Sequence, residues 1–94
     1  MSENILHDEM EQILKRELRS LALKTRSELG LTQRQMSDRY VMAESSYSAL
    51  ESGENMCGTL TTIFLLSDQI DPYQTLKTLI HKLDKLREGE LTVT

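Results

Sequence analysis

Apolar residues in this chain recur at three- and four-residue intervals almost from end to end, with glycine and proline as punctuation. From Glu3 to Leu29 the positions Leu6, Met10, Ile13, Leu14, Leu18 and Leu21 form one stripe, which predicts a long amphipathic helix. Gly30 then suits a left-handed stop. Thr32 is the expected cap of a short helix from about Gln33 to Tyr40, with Met36 and Tyr40 pointing inward. A break near Val41 to Ala43 precedes a third helix, Glu44 to Ser52, with Tyr47 and Leu50 inward and Gly53 at its end. Thr59 is the expected cap of a fourth helix reaching about Ile70, whose apolar residues are Leu60, Ile63, Phe64, Leu66 and Ile70. Asp71-Pro72 marks a restart, because Asp suits a cap and Pro suits a first helical turn. The last helix, from Pro72 to about Arg87, carries Tyr73, Leu76, Leu79, Ile80, Leu83 and Leu86 before Gly89. Alternating β-formers occur only at Leu91 to Thr94, a terminus expected to fray. The pattern predicts an all-α bundle of about five helices, with extended first and last helices.

Length limits the organisation. A chain of 94 residues holds one domain with one modest core. Residues 1–15 read as an N-terminal helical extension, 16–71 as the core, 72–88 as a C-terminal helix available for dimerisation and 89–94 as a tail. The longest apolar run, Ile63 to Leu66, is far short of the roughly 20 residues that span a bilayer, so no membrane association is expected. No basic flank followed by an apolar stretch opens the chain, and no secretion signal is expected. Cys57 is the single cysteine; it cannot form an internal disulfide, and it reads as an ordinary loop residue of a protein in a reducing cytoplasm. No cofactor and no metal site is expected.

Charge changes the picture more. The net charge of −4 argues against a generic nucleic-acid binder, but its distribution is uneven. Between Lys15 and Arg39 lie seven basic residues (Lys15, Arg16, Arg19, Lys24, Arg26, Arg34 and Arg39) against three acidic ones (Glu17, Glu28 and Asp38). From Val41 to Pro72 there is no Lys or Arg, while Glu44, Glu51, Glu54, Asp68 and Asp71 are acidic. Any anion-binding face must come mainly from the first half.

The stretch from Gly30-Leu31-Thr32-Gln33 to Leu50-Glu51-Ser52-Gly53 resembles the motif of the lambda-repressor/Cro-type helix-turn-helix family. Leu31-Thr32-Gln33 matches the opening, Ser37 the small residue where the two helices approach, and Leu50-Glu51-Ser52-Gly53 the close. The downstream Thr59-Leu60-x-x-Ile63-x-x-Leu66-Ser67-x-x-Ile70 resembles the family's fourth helix, and the likeness covers about 55 of the 94 residues. It implies a compact lambda-repressor-like bundle in which helix 44–52 reads DNA. Glu44, Ser45, Ser48 and Ala49 would then face base edges, and Gln33, Arg34 and Ser52 would meet phosphates. For Gln33 an ordinary solvated glutamine is the competing reading. Arg26 and Glu51 occupy positions that pair across helices one and three in the family, and a forked guanidinium suits a carboxylate through two parallel bonds.

The sequence departs from that pattern in three places. Val41 stands where the turn usually has glycine, so either the turn differs or a β-branched residue tolerates strain. Ala43 replaces the usual Ser or Thr cap. The outward positions Ala43, Glu44, Ser45, Ser48, Ala49 and Ser52 include no Lys, Arg, Asn or Gln, the residues that bind guanine and adenine in pairs of bonds.

Two functions follow as expectations. One is a prokaryotic or phage-like transcription regulator that binds double-stranded operator DNA as a homodimer, its two recognition helices about 34 Å apart. The other keeps the fold but uses the acidic second half to bind a protein partner, as an antitoxin-like or regulator-binding module. An enzyme is not expected. His7 and His81 lie on the outer helices without a matching Cys, Asp or Ser arrangement, and no glycine-rich phosphate loop is present.

Overall fold

A computed structural model describes residues 3–55 and 58–88, with side chains from Asp8 onward. Five helices follow one another: α1 (Glu3–Leu29), α2 (Gln33–Arg39), α3 (Glu44–Ser52), α4 (Thr59–Ser67) and α5 (Pro72–Arg87). No strand occurs among the described residues, and the all-α expectation holds. Cys57, Gly89 and the Leu91 to Thr94 tail lie outside the described residues, as do the side chains of Leu6 and His7.

The predicted boundaries rest on local chemistry. Gly30 has φ +69° after α1, and Gly53 has φ +79° after α3. The Thr32 Oγ1 accepts from the Gln35 N–H at 3.1 Å, while the Gln35 side chain accepts from the Thr32 N–H at 2.9 Å. This reciprocal box satisfies two amides that the helix start leaves open. Asp71 Oδ1 accepts from the Gln74 N–H at 3.0 Å, with Pro72 next in line.

Helix α1 keeps its predicted bounds, while two details of α4 differ from the sequence reading. Helix α1 runs unbroken for 27 residues, about 40 Å at 1.5 Å per residue, which sets the 42 Å long axis of the molecule. The cap of α4 is Gly58, without a side-chain bond, and Thr59 is the first helical residue. That helix stops at Ser67 and not near Ile70: the Gln69 N–H turns to the Leu66 carbonyl at 3.0 Å and the Gln69 side chain caps the Leu65 carbonyl at 2.9 Å, while the Asp68 side chain is held by Arg39 and Tyr40 of the neighbouring α2 region. Ile70 consequently stands 91 % exposed.

Helix α1 is the spine. It packs against α3, α5 and α4, while α2 packs on α3. The core joins Leu18 and Ala22 of α1, Met36 and Tyr40 beside α2, Tyr47 and Leu50 of α3, and Leu65 of α4. Tyr40 stacks on Phe64 with ring centroids 6.2 Å apart and tilts against Tyr47 at 6.3 Å, within the range where aromatic pairs attract. Ser37 is buried, so a small side chain occupies the inner surface of α2. Polar ties complete the frame: Gln69 Nε2 donates to Thr25 Oγ1 at 2.9 Å, and Lys82 Nζ lies 2.6 Å from Glu17 Oε2. Among the described residues no helix is long and apolar enough to cross a membrane.

Candidate functional site

Helix α3 is fixed by its inner face and free on its outer one. Tyr47, Leu50 and Glu51 are buried, whereas Glu44, Ser45, Ser46 and Ser52 are exposed and Ser48 and Ala49 are half-buried. Spacing explains the division, since positions three and four apart share a helix face.

Glu51 is the anchor. Its side chain is only 4 % exposed, and it accepts from three neighbours: Arg26 Nε at 2.6 Å, the Tyr47 hydroxyl at 2.5 Å and Gln33 Nε2 at 2.9 Å. Burial alone would push this carboxyl upward. The hydrogen bonds from Arg26, Tyr47 and Gln33, with the Arg26 charge, outweigh it and hold the carboxyl below the usual glutamate range. Burial first, and then the bond to Glu51, raises the Tyr47 phenol, which therefore stays protonated as a donor.

The Arg26–Glu51 pair is present, but the two-bond fork expected between them is not. Arg26 gives Glu51 its Nε and turns Nη1 to the Leu31 carbonyl at 3.4 Å. The guanidinium thereby ties α3 to the start of the α2 region. Sequence reading missed Tyr47 and Gln33 as partners of Glu51. For Tyr47 a signal existed, because Tyr47 and Glu51 are four apart on one helix.

The expected phosphate residues fall into different states. Gln33 is half-buried, with one amide N–H committed to Glu51 and a second remaining on the same nitrogen. Arg34 is exposed beside it. The Ser52 hydroxyl donates back to the Ala49 carbonyl at 3.0 Å. Ala43 is the cap of α3 with no side-chain bond, so Glu44 supplies the only acidic charge in that first turn.

Folding removes several of the cations from play. Lys15 lies 3.2 Å from Glu11, Arg26 serves Glu51, and Arg39 grips Asp68 with Nε at 2.9 Å and Nη2 at 2.5 Å. The Arg39 bonds, joined by one from the Tyr40 hydroxyl at 2.7 Å, hold the Asp68 carboxyl below its usual range. This second anchor was hidden in the sequence, since 29 residues separate its partners. Arg19 lies near the far end of α3: a Cβ placed on Gly53 would sit 3.3 Å from Arg19 Cδ. Arg16 precedes Arg19 by one turn of α1 and is exposed, as is Lys24.

The turn between α2 and α3 contains Val41 at φ +57°, a left-handed conformation that β-branched residues resist. Of the two outcomes left open by the sequence, the tolerated strain is the one realised. The Val41 side chain is 77 % exposed and gives little packing in return.

No protein-family model, no curated protein and no solved structure matches this chain.

Proposed function

We propose that α2 and α3 form a helix-turn-helix of the lambda-repressor type and that the domain is a DNA-binding regulator acting through the outer face of α3. The observation that carries this reading is the buried Glu51 network, which holds α3 at a set orientation while leaving Glu44 and Ser45 in solvent. A reading element needs both properties, because base contacts depend on orientation within fractions of an ångström.

In this reading Glu44, Ser45, Ser48 and Ala49 meet base edges. Glu44 would accept from a cytosine amino group, and the serines would donate or accept. Gln33 and Arg34 meet the backbone at one end of α3, and Arg19 supplies charge near the other. Gln33 has a double part: one N–H fixes it to Glu51, and the other is free for a phosphate oxygen. Ser52 is the weakest member, since its hydroxyl already bonds within its own helix. The protein acts as a homodimer, without catalytic chemistry.

A low-salt DNA selection with the purified protein, followed by titration at several salt concentrations, tests the reading. Binding should weaken linearly on logarithmic axes as salt rises. Arg34→Ala should weaken it evenly across sequences and lower the salt slope by about one. Glu44→Ala should relax preference at one base position. Absence of any salt-sensitive binding at low ionic strength sinks the proposal.

A second reading has its own observation. Residues 41–72 contain no Lys or Arg, and the surface formed by α4 and α5 exposes large apolar side chains. A protein-interaction module would use that half. Binding to a protein from the native host, with no DNA binding at low salt, would favour it.

A further inference from the structure

The outer helices do not share the same fate. Of the α1 stripe Leu18 is buried and Met10, Ile13, Leu14 and Leu21 are half-buried, so none of its described side chains is fully exposed. The α5 stripe divides. Leu79 and Leu86 face the core, while Tyr73, Leu76 and Ile80 stay in solvent at 77, 41 and 48 % exposure. Positions 73, 76 and 80 follow i, i+3, i+7 and lie along one line of the helix. Helix α4, packed on α5, exposes Leu60 and Ile63, and Ile70 projects from the four-residue connection between them.

These six residues together expose on the order of 700 Å², close to the roughly 800 Å² each partner brings to a standard interface. We infer that this α4–α5 surface is the contact between two copies of the chain, arranged about a two-fold axis that crosses α5 near Ile80. The inference deepens the homodimer part of the function proposed above.

Charge placement supports a second copy over a foreign partner. Lys77 and Asp84 lie seven residues apart, two helical turns, on the same outer side of α5 as Tyr73 and Ile80. When two α5 helices meet antiparallel with Ile80 near the centre, Lys77 of each copy comes opposite Asp84 of the other. A two-fold contact requires this reciprocity, in which i meets j and j meets i. The pairing occurs twice, at the rim of an apolar centre. Among the described residues Asp84 pairs with Arg87, one turn away on its own helix.

Sedimentation equilibrium without DNA tests the surface independently of DNA binding. The wild-type chain should give a dimer mass at about 100 µM. Tyr73→Glu and Ile80→Lys, both at exposed positions, should give monomers with unchanged helical content. Should either variant lose helicity, the charge series decides. Lys77→Asp should weaken the dimer about tenfold, and Lys77→Asp with Asp84→Lys should restore it to within about threefold. A monomer mass at every concentration, open-ended larger oligomers, or a dimer indifferent to all of these changes would overturn the inference. A chain that dimerises as stated yet binds no DNA would leave this surface standing and remove only the regulator reading.

Discussion

Around α3, the polar side chains that enter the interior meet partners, and the face left outside is polar. Glu51 has three donors, and Glu44 and Ser45 are in water. Around α4 and α5 the arrangement is reversed. Few side chains enter the core, chiefly Thr61, Leu65, Leu79 and Leu86, while Leu60, Ile63, Ile70, Tyr73, Leu76 and Ile80 remain outside. The first region is complete as a monomer. The second holds apolar surface that a monomer cannot cover, since one short helix pair has only α1 and the edge of the core to lean on.

The sharpest way to break this contrast is Glu51→Ala. It takes away the short bonds of the Tyr47 hydroxyl and the Arg26 guanidinium, leaving them the longer ones to the Ala22 and Leu31 carbonyls at 3.4 Å, and should cost about 2–3 kcal/mol. The full penalty of a buried pair is not reached because Arg26 keeps 32 % of its side chain in water. Thermal melts should show a drop of roughly 10–20 °C. A change below about 3 °C would mean the network does not anchor α3.

Acid should act on the same anchor. The Glu51 and Asp68 carboxyls are both held below their unfolded values of about 4.3 and 3.9. The unfolded chain therefore binds more protons in acid. The stability from these groups is complete above about pH 5 and is lost as pH falls through the lower folded values. Urea midpoints measured from pH 6 down to pH 3 should fall, and Glu51→Gln should flatten part of that fall. A midpoint constant over this range would contradict the assignment.

Val41→Gly should do the opposite of the Glu51 change. It removes a left-handed β-branched residue, worth about 1–2 kcal/mol, against the roughly 0.5–1 kcal/mol entropy cost of glycine. The expected gain is about 0.5–1 kcal/mol, visible as a higher urea midpoint. Smallest of all is Ile63→Ser. At sub-micromolar concentration, chosen to lie below the proposed dimer, it should shift stability by less than about 0.5 kcal/mol, because Ile63 is already 55 % exposed. A loss above about 1 kcal/mol would show that the α4 face contributes to the monomer core after all.

Much of the helical framework was legible because its signals are local. Thr32, Gly30, Gly53 and Asp71-Pro72 set ends through their own backbone and nearest neighbours, and the inward positions Met36, Tyr40, Tyr47 and Leu50 followed from helical spacing. The limit showed at α4, which stops at Ser67, and at Asp68 just beyond it. Its partners Arg39 and Tyr40 are remote in sequence, and no local rule could name them. The outward-facing candidates of α3 came from the family resemblance; Glu44 and Ser45 are exposed, Ser48 and Ala49 are half-buried, and Ser52 turns its hydroxyl onto its own helix.

Sequence alone determined that the chain is helical and where most helices begin and end, because each depends on interactions within a turn or two. Tertiary structure decided which cations remain available, how Gln33 joins Arg26 and Tyr47 on one carboxylate, and which apolar stripe is left uncovered. Those outcomes depend on which helices happen to be neighbours. Periodicity can say that a stripe will seek cover; only the packed bundle shows whether α1, α3 or nothing at all provides it.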